Sequence, residues 1–108
     1  MAKKHVACQI KHIDRLCLEA HQTATSKGWW TLPRHFLELL CLIHSEVSEA
    51  AEAYRRREPD QRVLEELADV VIRIFDLCGH KKWDLERAIN EKMEHNKGRS
   101  YRHGGKRC

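Results

Sequence analysis

The sequence predicts an all-α protein, arranged as an antiparallel four-helix bundle. Apolar residues recur at steps of three and four along the 108-residue chain, and no segment alternates with a period of two. Turn-forming residues divide the chain into four such stretches, and short connections favour antiparallel neighbours. A chain of this length buries only a small core, so association of copies is expected to bury more. We expect one helical domain over residues 1–98 and a basic tail over residues 99–108.

The first two predicted helices are defined by an apolar stripe and by the residues that interrupt it. The first stripe consists of Val6, Ile10, Ile13, Cys17, Ala20 and Ala24. It is expected to end at Lys27 and Gly28, since glycine commonly follows a helix C terminus. After the connector "WWTLP", Thr31 or Pro33 opens a second helix that runs to about Arg57.

A tight turn over residues 58–60 leads into the last two predicted helices. Asp60 is the expected N-cap of the third helix, which stops at Gly79. Its apolar residues are Val63, Leu67, Val70, Val71, Ile74 and Leu77. Asp84 is the expected N-cap of a short fourth helix that ends before Gly98.

The charge distribution narrows the classes of function. The net charge is +4, but residues 97–108 carry five of the 20 Lys and Arg residues and no acidic residue. Residues 1–96 therefore have a net charge of −1, and the body of the chain is not expected to bind nucleic acid.

Cysteine spacing and the N-terminal segment indicate a soluble, cytoplasmic protein. Five cysteines without a Cys-x-x-Cys pair favour buried or inert thiols over a zinc ribbon. No stretch approaches the roughly 20 apolar residues of a membrane span. The segment "MAKKHVACQIKH" contains no hydrophobic signal-peptide stretch, which also disfavours a disulfide framework. We expect no membrane partner.

The segment "LIHSEVSEAAEA", residues 42–53, places its three glutamates differently around the second helix. With Leu39 at 0°, Glu46 lies at about −20°, inside the apolar arc. Glu49 lies at about −80°, on the flank of that arc, and Glu52 at about 220°, on the opposite side. Only Glu52 is expected to be fully solvated.

Two further acids, Glu66 and Asp69, border the apolar arc of the third helix. When the two helices fold back about the turn, this pair and the pair Glu46 and Glu49 differ in height by only about 3 Å. Four carboxylates at one level beside a core repel one another, and a hard divalent cation such as Mg²⁺ compensates them. Each motif alone is also common on solvated faces, where Asp69 would pair with Arg73 at i,i+4. We favour the metal site because the two motifs coincide.

The fourth helix and the tail carry candidate phosphate ligands. Lys92 and Asn96 are expected on the inward face of the fourth helix, although Lys92 also fits a side chain that only extends past the apolar stripe. The tail residues that suit phosphate contacts or nearby hydrogen bonds are Arg99, Tyr101, Arg102, His103 and Lys106. A basic terminus without fixed structure is the competing interpretation.

The acidic segments resemble a known enzyme signature. "SEVSEAAEAYR" followed by "EELADVVIRIFDL" is similar to the ExxE…ExxD signature of the MazG-like, all-α nucleoside triphosphate pyrophosphohydrolases. "KGWW" and "KMEHNKGRSYRHGGKR" resemble parts of small single-domain members, including those of phages and mobile gene cassettes. His21, nine residues before Trp30, matches a histidine at that spacing in the dCTP-hydrolysing branch. The likeness covers roughly residues 16–107.

The resemblance implies a reaction and a cofactor. It implies Mg²⁺, with Mn²⁺ as a substitute, and hydrolysis of a nucleoside triphosphate, preferably a deoxynucleotide, to the monophosphate and pyrophosphate. It also implies a homodimer or homotetramer that cleanses the nucleotide pool. The implied metal ligands are Glu46, Glu49, Glu66 and Asp69.

The resemblance also suggests substrate-binding residues, which are His21, Trp30, Lys92, Asn96, Arg99, Tyr101 and His103. An indole face in the connector can stack on a base; the spacing to His21 favours Trp30, which leaves Trp29 or Trp83 for packing. Glu49 is the expected general base because it lies nearer to solvent. The single short domain and the basic tail depart from full-length MazG and from the dCTP branch, so the preferred base stays open.

A non-catalytic helical adaptor with a nucleic-acid-binding tail is the alternative. It predicts salt-dependent binding that is lost when residues 97–108 are deleted, whatever the metal. The enzyme predicts metal-dependent release of pyrophosphate instead.

Overall fold

A computed structural model describes residues 12–99, and all regular structure in that range is helical. The four helices are α1 (His12–Ser26), α2 (Phe36–Arg55), α3 (Asp60–Lys81) and α4 (Leu85–Lys97). They pack as a bundle in which α3 contacts both α1 and α2. The all-α prediction is confirmed for this part of the chain. The antiparallel arrangement, the domain boundary and the association of copies stay predictions.

The end of α1 is the one that the sequence predicts. Gly28 has a φ of 86°, in the left-handed region that glycine adopts most readily. Its N–H donates to Thr25 O at 3.1 Å, and Trp29 N–H donates to Ala24 O at 3.1 Å. These two bonds satisfy carbonyls of the last turn in a Schellman arrangement.

The start of α2 differs from the prediction. The helix begins at Phe36, and His35 is its N-cap, with Nδ1 accepting from Leu37 N–H at 3.2 Å. Thr31 does not open the helix because its hydroxyl donates to Gly28 O at 2.8 Å, at the end of α1. The connector therefore extends three residues beyond Leu32 before α2 begins.

Both ends of α3 differ from the prediction, whereas α4 follows it. Asp60 is the first helical residue, and Pro59 occupies the cap position without a side-chain hydrogen bond. The helix passes through Gly79 and ends at Lys81. In α4, the side chain of Asp84 accepts from Arg87 N–H at 3.0 Å, and the helix ends at Lys97, before Gly98.

Close packing explains why a glycine lies inside α3 instead of beyond its end. A Cβ atom at Gly79 would lie 2.5 Å from Cys17 O and 2.8 Å from the Cβ of His21. These distances are too short for real contacts, so only glycine lets the two helix backbones approach this closely.

The core at the contact of the first three helices is small. Its buried apolar residues are Cys17, Ala50, Ala53, Leu77 and Cys78. Burial, followed by the nearby Cys78, raises the pKa of the Cys17 thiol to about 11, so this thiol stays protonated and unreactive at neutral pH. None of the helices within residues 12–99 is both long and apolar enough to cross a membrane.

Candidate metal centre

Three acidic side chains from two helices converge in the structure. Glu46 of α2 and Glu66 and Asp69 of α3 each offer a carboxylate oxygen, and these oxygens all lie within 4.8 Å of one another. Glu46 is 8% exposed, Glu66 is half-buried and Asp69 is exposed. The three residues, which we call the acidic cluster, therefore form a site that is closed on the core side and open on the other.

Glu49 lies beside the acidic cluster. Its pKa is raised above the ordinary value, first by hydrogen bonding to the Glu46 carboxyl and then by the negative charge of Glu46. Smaller contributions come from desolvation and from the charges of Glu66 and Asp69. All four predicted acids thus interact electrostatically, although the closest group contains three of them. Whether Glu49 is a ligand or a base stays a prediction.

Two arginines offset part of the negative charge. Arg73 Nε donates to Glu46 Oε1 at 2.8 Å, and Arg62 Nη2 donates to Glu66 Oε1 at 3.1 Å. The alternative interpretation of the sequence paired Arg73 with Asp69 on the same helix. In the structure Arg73 reaches across to α2, because the buried Glu46 has the greater need of a cation.

The acidic cluster fits a hard divalent cation. Ligand oxygens around Mg²⁺, at about 2.1 Å from the ion, lie about 3 to 4.2 Å apart in an octahedron. Oxygens that lie within 4.8 Å of one another reach such an arrangement through side-chain shifts of roughly 1 Å or less. The donor set consists of carboxylates alone, which Mg²⁺ and Mn²⁺ favour over softer metals.

A cavity of about 620 Å³ opens beside the acidic cluster. Glu46, Asp69 and Arg73 lie in its wall, together with the indole of Trp29. The remainder is mainly apolar, with Leu16, Ala20, Ala24, Ile72 and Phe75, and it also contains the charged residues Glu19, Lys27 and Asp76. Volume and lining are in the range typical of small-molecule sites.

His21 and Trp30 lie together, as their predicted shared role requires. The residue that joins them is Asp76, which the sequence analysis missed. Trp30 Nε1 donates to Asp76 Oδ1 at 2.9 Å, and His21 Nδ1 lies 2.9 Å from the same oxygen. The indole of Trp30 stacks on His80 with ring centroids 3.8 Å apart. Asp76 follows Asp69 by seven residues, a spacing that places both on one face of α3 and that was available in the sequence.

The two adjacent tryptophans occupy different places. Trp29 lines the cavity, where the guanidinium of Arg73 lies 5.1 Å and that of Arg34 4.9 Å from its ring centroid. Trp30 is held by Asp76 and His80. The structure thus places Trp29, which the sequence analysis left for packing together with Trp83 as the alternative, in the wall of the cavity beside the acidic cluster. The base-binding role of Trp30 stays a prediction.

The predicted residues on α4 are not brought to the acidic cluster. Lys92 and Asn96 are exposed, and Met93 between them is 55% exposed, so this face is not inward within one chain. The expected inward face was wrong because α4 packs against α1 through its first turn, where the buried Glu86 accepts from Ile13 N–H at 2.9 Å. Their substrate-binding role stays a prediction.

The tail is only partly described. Arg99 is exposed at the edge of the described range. Tyr101, Arg102, His103 and Lys106 lie outside the described residues. The adaptor alternative, which assigns nucleic-acid binding to residues 97–108, therefore stays a prediction.

No protein-family model, curated protein or solved structure matched this chain.

Proposed function

We propose that this protein is a Mg²⁺-dependent nucleoside triphosphate pyrophosphohydrolase of the MazG-like kind. The reaction converts a nucleoside triphosphate, preferably a deoxynucleotide, to the monophosphate and pyrophosphate. The observation that carries the proposal is the acidic cluster, built from two helices at the wall of a 620 Å³ cavity that also contains an indole and a guanidinium. Acids, cation and aromatic face are the three elements that a nucleoside triphosphate requires.

The acidic cluster supplies the metal site. When bound, Mg²⁺ neutralises phosphate oxygens and polarises the phosphoanhydride. Glu46, Glu66 and Asp69 would hold it, with Glu49 as the fourth candidate ligand. The buried position of Glu46 fixes its carboxylate, since a side chain that is 10% exposed has few alternative rotamers.

The cavity wall suits the nucleoside. The Trp29 ring offers a flat apolar face, and aliphatic side chains of α1 and α3 line the cavity around it. The acidic cluster lies at the same wall, so a base in the cavity would direct its phosphates toward the acids. A cavity of this size can hold a base while the acids keep one open side.

Glu49 is the best placed general base. It is exposed and lies beside Glu46, so its carboxylate can meet a water at the open side of the acidic cluster. In the reaction it takes a proton from the attacking water, and the new P–O bond forms as the bond between the α and β phosphates breaks. This role and that of a direct metal ligand exclude each other during one turnover.

Release of pyrophosphate tests the proposal. We expect the purified protein to release pyrophosphate from at least one triphosphate in a panel of common and modified ribo- and deoxynucleotides, only with Mg²⁺ or Mn²⁺. Glu46→Gln and Asp69→Asn should each lower kcat/KM by about a hundredfold or more, because each removes a charged ligand.

Glu52→Gln is the matched control. Glu52 lies on the same helix and pairs with Arg55 and Arg56 at the surface, away from the acidic cluster. Its removal is expected to leave the activity within about twofold, since surface pairs contribute little. A folded wild-type protein that releases no pyrophosphate from the whole panel would contradict the proposed function.

A further inference from the structure

Arg73 lies between the acidic cluster and the indole of the cavity. Its Nε atom is 2.8 Å from Glu46 Oε1, and its guanidinium carbon is 5.1 Å from the Trp29 ring centroid. All three residues line the same cavity. We infer that Arg73 is an exchangeable cation: it neutralises Glu46 in the metal-free protein and transfers to a substrate phosphate when a metal binds Glu46. This inference rests on the proposed function.

The buried position of Glu46 explains why an arginine is paired with it in the absence of metal. The Glu46 side chain is 10% exposed and the Arg73 side chain 28% exposed. A carboxylate that is removed from water needs a cation or a proton, and the neighbouring acids Glu66 and Asp69 add repulsion. Arg73 therefore supplies the positive charge that the buried Glu46 carboxylate needs.

The same geometry makes Arg73 a competitor of the metal. The oxygen that accepts from Arg73 belongs to the carboxylate that the acidic cluster offers to an ion. The guanidinium lies 2.8 Å from that carboxylate, so it would repel a divalent cation bound to the same group. Metal binding therefore favours departure of the guanidinium from Glu46.

The cavity provides a place for the displaced guanidinium. Among residues 12–99, Arg73 hydrogen-bonds only through Nε, so both Nη groups can still donate. Contact with the Trp29 ring keeps the side chain in the cavity when the bond to Glu46 breaks. A phosphate beside the acidic cluster then meets a planar donor pair, the geometry that arginine uses for bidentate phosphate binding.

Arg62 shows by contrast why the exchange is assigned to Arg73. Arg62 also contacts the acidic cluster, through Glu66, but its guanidinium is shared with Glu58 and Glu65 as well. The other two carboxylates retain it when Glu66 binds a metal. Arg73 has one carboxylate partner in the described chain and lines the cavity.

Two titrations test the inference on purified Arg73→Gln. The first measures binding of Mn²⁺ alone by electron paramagnetic resonance, without nucleotide; we expect affinity about tenfold tighter than wild type, because a charge-assisted competitor is removed. The second measures binding of an α,β-imido triphosphate analogue at saturating Mg²⁺; we expect affinity about tenfold weaker, because a phosphate ligand is lost.

Opposite directions in the two titrations distinguish exchange from a structural role. Arg87→Gln is the control, since it removes the same charge from a residue that is paired with Glu91 on α4. It should leave both affinities unchanged. The inference is overturned if Arg73→Gln, with a wild-type circular dichroism spectrum, does not bind Mn²⁺ more tightly, or if its analogue affinity is unchanged. A wild-type protein that binds Mn²⁺ but no triphosphate instead overturns the proposed function, while the first titration still decides whether Arg73 competes at Glu46.

Discussion

His80 belongs to a group of side chains that fixes the connector between α1 and α2 onto α3. Its ring stacks on Trp30, and its centroid lies 5.3 Å from that of His21. Asp76, one turn earlier on α3, contacts both His21 and Trp30 through one oxygen. The group thus joins three elements, and the protonation state of His80 bears on the contact between the connector and α3.

The pKa of His80 predicts a loss of stability in mild acid. Desolvation is the main cause that lowers this pKa below 6.5, and the charges of His21 and Lys81 add to it while Asp76 opposes it. The folded protein therefore binds fewer protons at His80 than the unfolded chain between the lowered pKa and 6.5. We expect the contribution of His80 to the free energy of unfolding to be largest above pH 6.5. This contribution is lost as the pH falls through the lowered pKa.

Two variants of His80 separate titration from stacking. Urea unfolding of His80→Phe and His80→Gln at several pH values between 5 and 7.5 should give a smaller slope of unfolding free energy against pH than wild type. Only His80→Phe retains an aromatic face for Trp30, so it should be the more stable of the two. Wild-type slopes in both variants would contradict the assignment to His80.

At the scale of elements, Gly79 sets how closely α1 and α3 approach. Alanine inside a helix is favoured over glycine by about 1 kcal/mol. At this position the added methyl would lie 2.5 Å from the backbone oxygen of Cys17, which cannot rotate away. Overpacking of this kind costs about 1–3 kcal/mol or more, and the clash outweighs the helix preference.

We therefore expect Gly79→Ala to lower the free energy of unfolding by about 2 kcal/mol in urea denaturation. Gly98→Ala is the matched control, because a Cβ at Gly98 meets its nearest atom, His95 O, at 3.5 Å. That variant should be neutral or slightly stabilised, by up to about 1 kcal/mol. Equal stability of the two variants would show that the helices separate without cost.

The same glycine shows what the sequence predicts and what it does not. Apolar periodicity placed the four helices, and Gly28 and Asp84 marked the expected boundaries, because these signals are local. Gly79 was assigned to a helix end, whereas its reason is a contact with Cys17, 62 positions away in the chain. Local spacing carries no information about such an approach.

The candidate site was likewise predicted only in part from the sequence. The helical wheel identified Glu46 as the inward acid and brought it level with Glu66 and Asp69, which converge in the structure. The helical wheel did not predict side-chain pairs between different helices, such as Arg73 with Glu46 and Asp76 with His21. Those contacts depend on the rotation of each helix about its axis, which periodicity defines only to about the width of one side chain.

At the scale of the whole molecule, much apolar surface lies outside the small core. Leu40, Val47 and Tyr54 recur every seven residues on α2, and each is at least 36% exposed. A second exposed stripe on α3 consists of Leu64, Leu67 and Val71. Within the described chain, no large side chain is fully buried. Surfaces of this kind usually pack against another protein, and the expected homodimer or homotetramer would cover them.

Self-association can be tested at Leu64, which is 58% exposed and lies outside the candidate site. We expect sedimentation velocity to show that the wild-type protein is a dimer or tetramer. Leu64→Glu should weaken association at least about tenfold, because it buries an unpaired charge in the contact. Gln22→Glu adds the same charge to an exposed residue of α1, outside both stripes, and should leave the assembly unchanged. Since Leu64 makes few contacts within its own chain, a folded Leu64→Glu monomer would locate the interface on this face. A wild-type monomer across the accessible concentration range, or a Leu64→Glu variant that assembles like wild type, would exclude this stripe as the contact between copies.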